Sequence, residues 1–148
     1  MHFREAGISD IFQMQIVRNS VIENQLNDPT LIKDADYENF LLVKGKGWIC
    51  EINNDVVGFA IIDLQENNIW ALFVAPPFAE KGIGKKLHSI MLHWYFQQTQ
   101  KTVWLGTAAN SRAEIFYMQQ GWTKVGIHGN NEIKFEMTFS KWDSLIQA

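Results

Sequence analysis

Val74-Ala75-Pro76-Pro77-Phe78-Ala79-Glu80-Lys81-Gly82-Ile83-Gly84-Lys85 is the stretch from which the rest of the chain is read. Before it, residues 69–74 form a continuous apolar run, which predicts a strand in the middle of a sheet. Pro76-Pro77 ends that strand, because neither proline can donate to a ladder. After it, Ile83, Leu87, Ile90, Met91 and Trp94 fall at offsets 0, 4, 7, 8 and 11, one face of a helical repeat. Gly82 and Gly84 therefore open a helix directly behind a strand. A helix start has about four N–H groups without intrahelical partners and carries partial positive charge. Glycines let an anion approach that backbone closely, and Lys81, Lys85 and Lys86 add mobile positive charge. The stretch predicts a phosphate-holding turn over residues 80–85.

Two nucleotide patterns do not fit. A P-loop needs Gly-x4-Gly-Lys-Ser/Thr, which neither this turn nor Lys44-Gly45-Lys46-Gly47 supplies. A dinucleotide fingerprint needs a third glycine where Leu87 stands, and it should follow the first strand.

Working outward, Phe3-Arg4-Glu5 predicts a short first strand, and Ser9 or Asp10 caps a helix bearing Ile11, Met14, Val17 and Val21. Asp28-Pro29 breaks that helix. A second begins near Asp34, runs through Tyr37, Phe40 and Leu41, and stops before Gly45. Residues 48–52 and 56–64 read as strands about the turn Asn53-Asn54-Asp55, and Glu66-Asn67-Asn68 turns into the apolar strand. Beyond the long helix, Val103-Trp104-Leu105 is a strand. Asn110 or Ser111 then caps a helix with Ala113, Phe116 and Tyr117, ending at Gly121. Strands over 122–127 and 133–139 close an α/β domain with a mixed sheet.

At 148 residues, 47 % of them apolar, residues 1–148 suffice for a single domain around one core. A net charge of −3 gives no general attraction to nucleic acid or an anionic membrane, so an anion site must be local. Cys50 is alone, which excludes a disulfide framework and a Cys-rich zinc site; in a strand it reads as a small buried hydrophobe. His2 and His128 lack neighbouring ligands, and His88 and His93 lie opposite the apolar stripe, where surface positions are expected. No metal is expected. No run reaches the ~18–20 apolar residues of a membrane span, and Met1-His2-Phe3-Arg4-Glu5 does not read as a signal peptide, so no membrane contact and a cytoplasmic location are expected.

A second motif, Asn110-Ser111-Arg112-Ala113-Glu114-Ile115-Phe116-Tyr117 with Gly121-Trp122, follows the turn. Together the two segments resemble the GNAT superfamily of acyl-CoA-dependent N-acyltransferases. The first is similar to its motif A, a Leu-x-Val strand end and a Gln/Arg-x-x-Gly-x-Gly/Ala turn. The second is similar to its motif B, Asn-x-x-Ala-x-x-x-Tyr before Gly-Phe or Gly-Trp. The resemblance covers nearly the whole chain. It implies the GNAT fold, a central mixed, mostly antiparallel twisted sheet of about seven strands flanked by about four helices.

The resemblance also implies roles. Acetyl-CoA would be the acyl donor and a primary amine of a small molecule or peptide the acceptor, with direct transfer between them. Backbone groups at Leu72, Phe73 and Val74 would hold the pantetheine arm, and the Leu72 amide would polarise the thioester carbonyl. The amides of Glu80, Lys81, Gly82, Ile83, Gly84 and Lys85 would hold the pyrophosphate, and Asn110 would touch the cofactor arm. Tyr117 would protonate the leaving thiolate. Family members often pair through sheet edges or helices, so a homodimer is an expectation.

This sequence departs from the pattern twice. Ala79 stands where Gln or Arg is usual, and Asn68 stands where many members carry a Glu as general base, with Trp70 two residues on. Three routes for the amine's proton stay open: Glu66 or Asp63 through a water, another carboxylate folded into the cleft, or a less basic acceptor. The first is favoured. Arg18, Glu23, Asn24, Asp28, Asp34 and Asp36 fall where the family walls its acceptor cleft, with Trp48 and Trp70 as neighbours; acidic groups beside aromatics suit a cationic amine. The rival reading is a non-catalytic acyl-CoA-binding sensor or regulatory module. A third is an interaction domain with a vestigial turn.

Overall fold

Asn53 and Asn54 take left-handed angles, φ 52° and 69°, as a two-residue hairpin turn requires. They join β2 (Gly45–Ile52) to β3 (Asp55–Asp63) in the computed structural model, which describes residues 1–21, 32–129 and 131–148. The chain forms two compact units, Met1–Tyr95 and Phe96–Ala148.

In the first unit, β1 (His2–Glu5), β2, β3 and β4 (Asn68–Val74) form an antiparallel sequence of neighbours. Because neighbouring residues of a strand point to opposite faces, the register sorts the side chains. Ile49, Phe59, Ile61 and Ala71 gather on one face with Ile11, Met14 and Val17 of α1 (Ile11–Ser20) and Tyr37 of α2 (Asp34–Asn39). Trp48, Gly58, Ala60 and Leu72 belong to the opposite face. There α3 (Ile83–Gln98) comes so close that a Cβ on Gly58 would stand 3.1 Å from Ile83 Cγ2 and 3.3 Å from Leu87 Cδ1. A glycine at that point lets the helix that follows the Pro76–Gly82 turn seat against β3.

The β3–β4 ladder is irregular at one point. Ile61 pairs with Ala71 and Ile62 with Ile69, which leaves Trp70 as an extra residue on β4. Such a bulge reverses the alternation beyond it. Ala71 and Phe73 thereby face α1, and Trp70 packs there too, edge-on to Tyr37 at 5.0 Å and stacked on Phe40 at 4.1 Å.

Several expectations are met closely and others need correction. α1 ends at Ser20, and Val21 takes extended angles (φ −89°, ψ 106°) instead of extending the apolar face. Asp28-Pro29 lies outside the described residues. α2 starts at Asp34 and runs into a wide π turn, Phe40–Lys44, that stops at Gly45. The Asp10 carboxylate does not cap α1. It accepts the Gly7 N–H at 2.8 Å and two Arg4 bonds at 2.9 and 2.8 Å, and Arg4 Nε donates to Glu51 at 3.0 Å. Cys50 is fully buried, as expected, and burial pushes its thiol up.

His88 is not a surface residue. The buried stripe of α3 is Ile83, Leu87, His88, Met91, Leu92, Tyr95 and Phe96, and Ile90 and Trp94 sit half-buried at its margin. Its centre is rotated towards the i+1 side of the expected stripe, so His88 falls within it while His93 stays exposed. Burial drives the His88 imidazole down to about 4 from 6.5.

In the second unit β5 (Val103–Ala108), β7 (Glu132–Met137) and β6 (Thr123–His128) pair antiparallel in that order. α4 (Arg112–Gln119) precedes β6. The expected final strand stops at Met137, because Thr138 Oγ1 accepts the Lys141 N–H at 3.1 Å and begins α5 (Phe139–Gln147). Trp142 anchors that helix on Phe96, ring centroids 6.1 Å apart. The described residues thus carry seven strands and five α-helices, one helix more than expected, and the class is α/β. Among them, no helix is long and apolar enough to cross a membrane.

Candidate functional site

β4 ends in order. Leu72, Phe73 and Val74 pair with Ala60, Phe59 and Gly58, and the Ala75 N–H donates to Val57 O at 2.8 Å. Pro76–Phe78 forms one 3-10 turn, closed by the Ala79 N–H on Pro76 O at 3.2 Å. Glu80 and Gly82 then take left-handed angles, φ 62° and 82°. The space beside Gly82 is open: a Cβ there would meet nothing within 4 Å. Gly82 O accepts the Lys86 N–H at 3.0 Å, so the N–H groups of Ile83, Gly84 and Lys85 precede the first i→i−4 bond of α3. Lys81, Lys85 and Lys86 are exposed around them. The first unit therefore holds every strand and turn residue expected of the cofactor site in one strand–turn–helix. An open glycine corner, helix-start N–H groups and three mobile lysines fit a pyrophosphate.

Where β4 begins, Asn68 is the cross-strand partner of Asp63. Asp63 is buried, and its Oδ1 accepts the Gln65 and Glu66 N–H groups at 2.8 and 3.1 Å. Glu66 is exposed on the turn. Asn67 has φ 56°, and its Oδ1 accepts the Tyr95 hydroxyl at 2.9 Å, which ties the turn to α3.

The second unit carries Asn110 and Tyr117. Of the two candidate caps, Ser111 is the one used: its Oγ accepts the Glu114 N–H at 3.2 Å and donates to Ala108 O at 2.6 Å. Asn110 is exposed with φ 61°, and its N–H donates to Glu114 Oε1 at 3.0 Å. That bond, with help from Lys124, holds the Glu114 carboxyl below its usual range. Tyr117 is buried among Phe116, Trp122 and Phe135, with centroids at 5.3, 5.5 and 6.1 Å. Burial pushes its phenol far up, so the hydroxyl keeps its proton at any physiological pH. Arg112 is exposed.

The acceptor side differs from expectation. Neither tryptophan offers an open ring to a substrate cation. Trp48 is buried against Trp94, centroids 5.6 Å apart, on the α3 face. Trp70 lies on the α1 face under the protein's own Arg18, whose Cζ stands 4.9 Å from its ring centroid and 5.0 Å from that of Phe73. The bulge at Trp70 causes this arrangement, and nothing in the apolar run announces a bulge. Asp36 is occupied by the Lys33 N–H at 2.8 Å, and Asp34 lies 3.5 Å from Gln15 Nε2. Glu23, Asn24 and Asp28 lie outside the described residues. Sequence reasoning missed Tyr37 and Gln15 as neighbours of Arg18; the Gln15–Arg18 spacing of three on a helix was the available signal.

The profile of the acetyltransferase (GNAT) family matches residues 10–122. An uncharacterized N-acetyltransferase of Archaeoglobus fulgidus is 31% identical over 111 residues, covering 64% of this chain and 75% of that protein. Among solved structures, the PaiA N-acetyltransferase of Thermoplasma acidophilum in complex with coenzyme A has TM-score 0.77 and 13% identity over 93% of this chain and 98% of its own. The ribosomal-protein-S18-alanine N-acetyltransferase of Escherichia coli has TM-score 0.74 and 15% identity, covering 92% and 90%. At such identities the structures speak for the fold.

Proposed function

This chain belongs to the acetyltransferase (GNAT) family, and we propose that it moves acetyl from acetyl-CoA directly to a primary amine of a small molecule or peptide. The observation that carries this reading is the run from β4 through the open Gly82 corner into α3, with unspent helix-start N–H groups. Coenzyme A bound to the Thermoplasma neighbour supports an acyl-CoA donor. The reading takes 1–148 as one catalytic domain, in keeping with a family match that spans both units. It sets the enzyme in the cytoplasm, where a lone buried Cys50 needs no oxidising compartment.

In this reading the amides of residues 80–85 hold the pyrophosphate, and backbone groups at Leu72, Phe73 and Val74 with Asn110 hold the pantetheine arm. The amine nitrogen attacks the thioester carbon, the C–N bond forms and the C–S bond breaks. The Leu72 amide steadies the oxyanion, Tyr117 gives its proton to the thiolate, and the surplus proton left on the acylated nitrogen restores Tyr117. Most of the acceleration comes from holding amine and thioester in line. An alkyl ammonium, pKa ~10.4, must first lose a proton. Asp63 or Glu66 accepts it through a water, and the cross-strand pairing with Asn68 favours Asp63.

The sensor reading keeps one observation in its favour: Asn68, and no carboxylate, begins β4. Calorimetry with acetyl-CoA and thiol release across an amine panel separate the two. Binding with turnover supports the enzyme, and binding without turnover supports the sensor. Tyr117→Phe should slow turnover roughly 10²-fold or more with cofactor affinity nearly intact. Equal loss of both would make Tyr117 structural.

A further inference from the structure

Gln15 and Arg18 lie three residues apart on α1 and share a helix face. In a regular strand Trp70 and Phe73 would point to opposite sides; the bulge brings both rings to that face, and Arg18 lies over them. Rings cover the flat face of a guanidinium and do nothing for the N–H groups on its edge. Arg18 Nε and Nη1 are buried and have no hydrogen-bond partner among the described residues. The same holds for Tyr37 Oη and for Gln15 Oε1, although Gln15 Nε2 is fixed on Ile32 O at 2.7 Å. Tyr37 stands beside Arg18: burial pushes its phenol up and the guanidinium draws it part of the way back. Among the described residues, the carboxylates of α2 are already engaged, Asp36 on the Lys33 N–H and Asp34 near the Gln15 amide.

Buried charged donors without acceptors cost more folding stability than neutral ones. A fixed planar cation with its edge unspent is shaped for a planar oxyanion. We propose that Arg18, with Tyr37 beside it, binds a carboxylate of the acceptor, and that the acceptor is an amino acid or short peptide with a free carboxylate, not a polyamine. Gln15 Oε1 then accepts an N–H of the same molecule. The inference rests on the acetyltransferase reading, which gives the thioester to Leu72, two residues after Trp70 and next to Phe73 on the same strand.

The test is thiol release with α-amino acids and dipeptides, each against its own carboxamide, with spermidine and phosphoethanolamine as further acceptors. The carboxylate members should lead by about 10–100-fold in kcat/KM. Arg18→Gln should abolish that lead through KM, leave the KM for acetyl-CoA unchanged and retain its melting temperature; Arg18→Lys should restore part of it. A lead for carboxamides, spermidine or phosphoethanolamine overturns the proposal, as does a lead that survives Arg18→Gln. Calorimetry of an N-acetylated dipeptide against its carboxamide, on protein saturated with coenzyme A, decides the site without turnover. A carboxylate preference lost in Arg18→Gln supports it, and no preference in the wild type overturns it. Absence of thiol release with every amine would instead sink the enzyme reading alone.

Discussion

Arg4 and Arg18 belong to the same compact unit and are finished in opposite ways. Arg4 spends its guanidinium on two carboxylates: Nε on Glu51, Nη1 and Nη2 on Asp10, with Asp10 also holding the Gly7 N–H. Those bonds tie β1, β2 and the start of α1. Arg18 lies on two rings, and its buried edge donors Nε and Nη1 find no acceptor among the described residues. A closed ion cluster reads as structure, whereas an open one in a family enzyme reads as reserved for a ligand.

The comparison breaks most visibly in stability. Arg4→Met strands a buried Asp10 carboxylate and should cost about 2–3 kcal/mol in denaturant melts at pH 7. Arg4 holds the Asp10 carboxyl below its ordinary 3.8. The stability it lends is present above that value and lost as pH falls through the lowered one, so Arg4→Met should show a shallower acid loss below pH 3.8. A variant as stable as the wild type would dissolve the contrast.

His88 offers an effect of the next size on the other face of β3–β4. Its imidazole, pushed to about 4 from 6.5, stays neutral in the folded chain. Its contribution is therefore present above pH 6.5 and lost as pH falls through about 4. His88→Gln should flatten the stability curve across that window by about 2 kcal/mol, measured by urea melts at half-unit steps. An unchanged slope would mean that His88 takes up its proton as freely when folded.

Gly82→Ala should cost about 1 kcal/mol, since φ 82° disfavours a side chain, and should weaken acetyl-CoA binding in calorimetry. The smallest effect sharpens the comparison most. Arg18→Met should leave stability within about 0.5 kcal/mol or raise it, because it removes buried donors that find no acceptor among the described residues. A loss as large as that of Arg4→Met would make Arg18 structural.

The strand–turn–helix from β4 to α3 was legible because it resides in backbone conformation, and Pro76-Pro77, Gly82 and Gly84 write that conformation into the sequence. The hairpin at Asn53-Asn54 and the helix stop at Gly45 were legible for the same reason. What stayed hidden depends on side chains meeting across elements. The Trp70 bulge has no glycine to mark it, and it decides which face carries Trp70, Phe73 and Arg18. His88 entered the core because the α3 stripe is broad enough to take in the next position. α5 stayed hidden because Thr138 and Phe139 continue the strand expected over 133–139, although a hydroxyl three residues before Lys141 is a helix signal.

Acetyl transfer by this chain is read out by thiol release measured across an amine panel. Saturable release of coenzyme A is expected, matched mole for mole by N-acetylated amine, with amines bearing a carboxylate ahead. Tight binding of acetyl-CoA with no thiol release from any amine would contradict it.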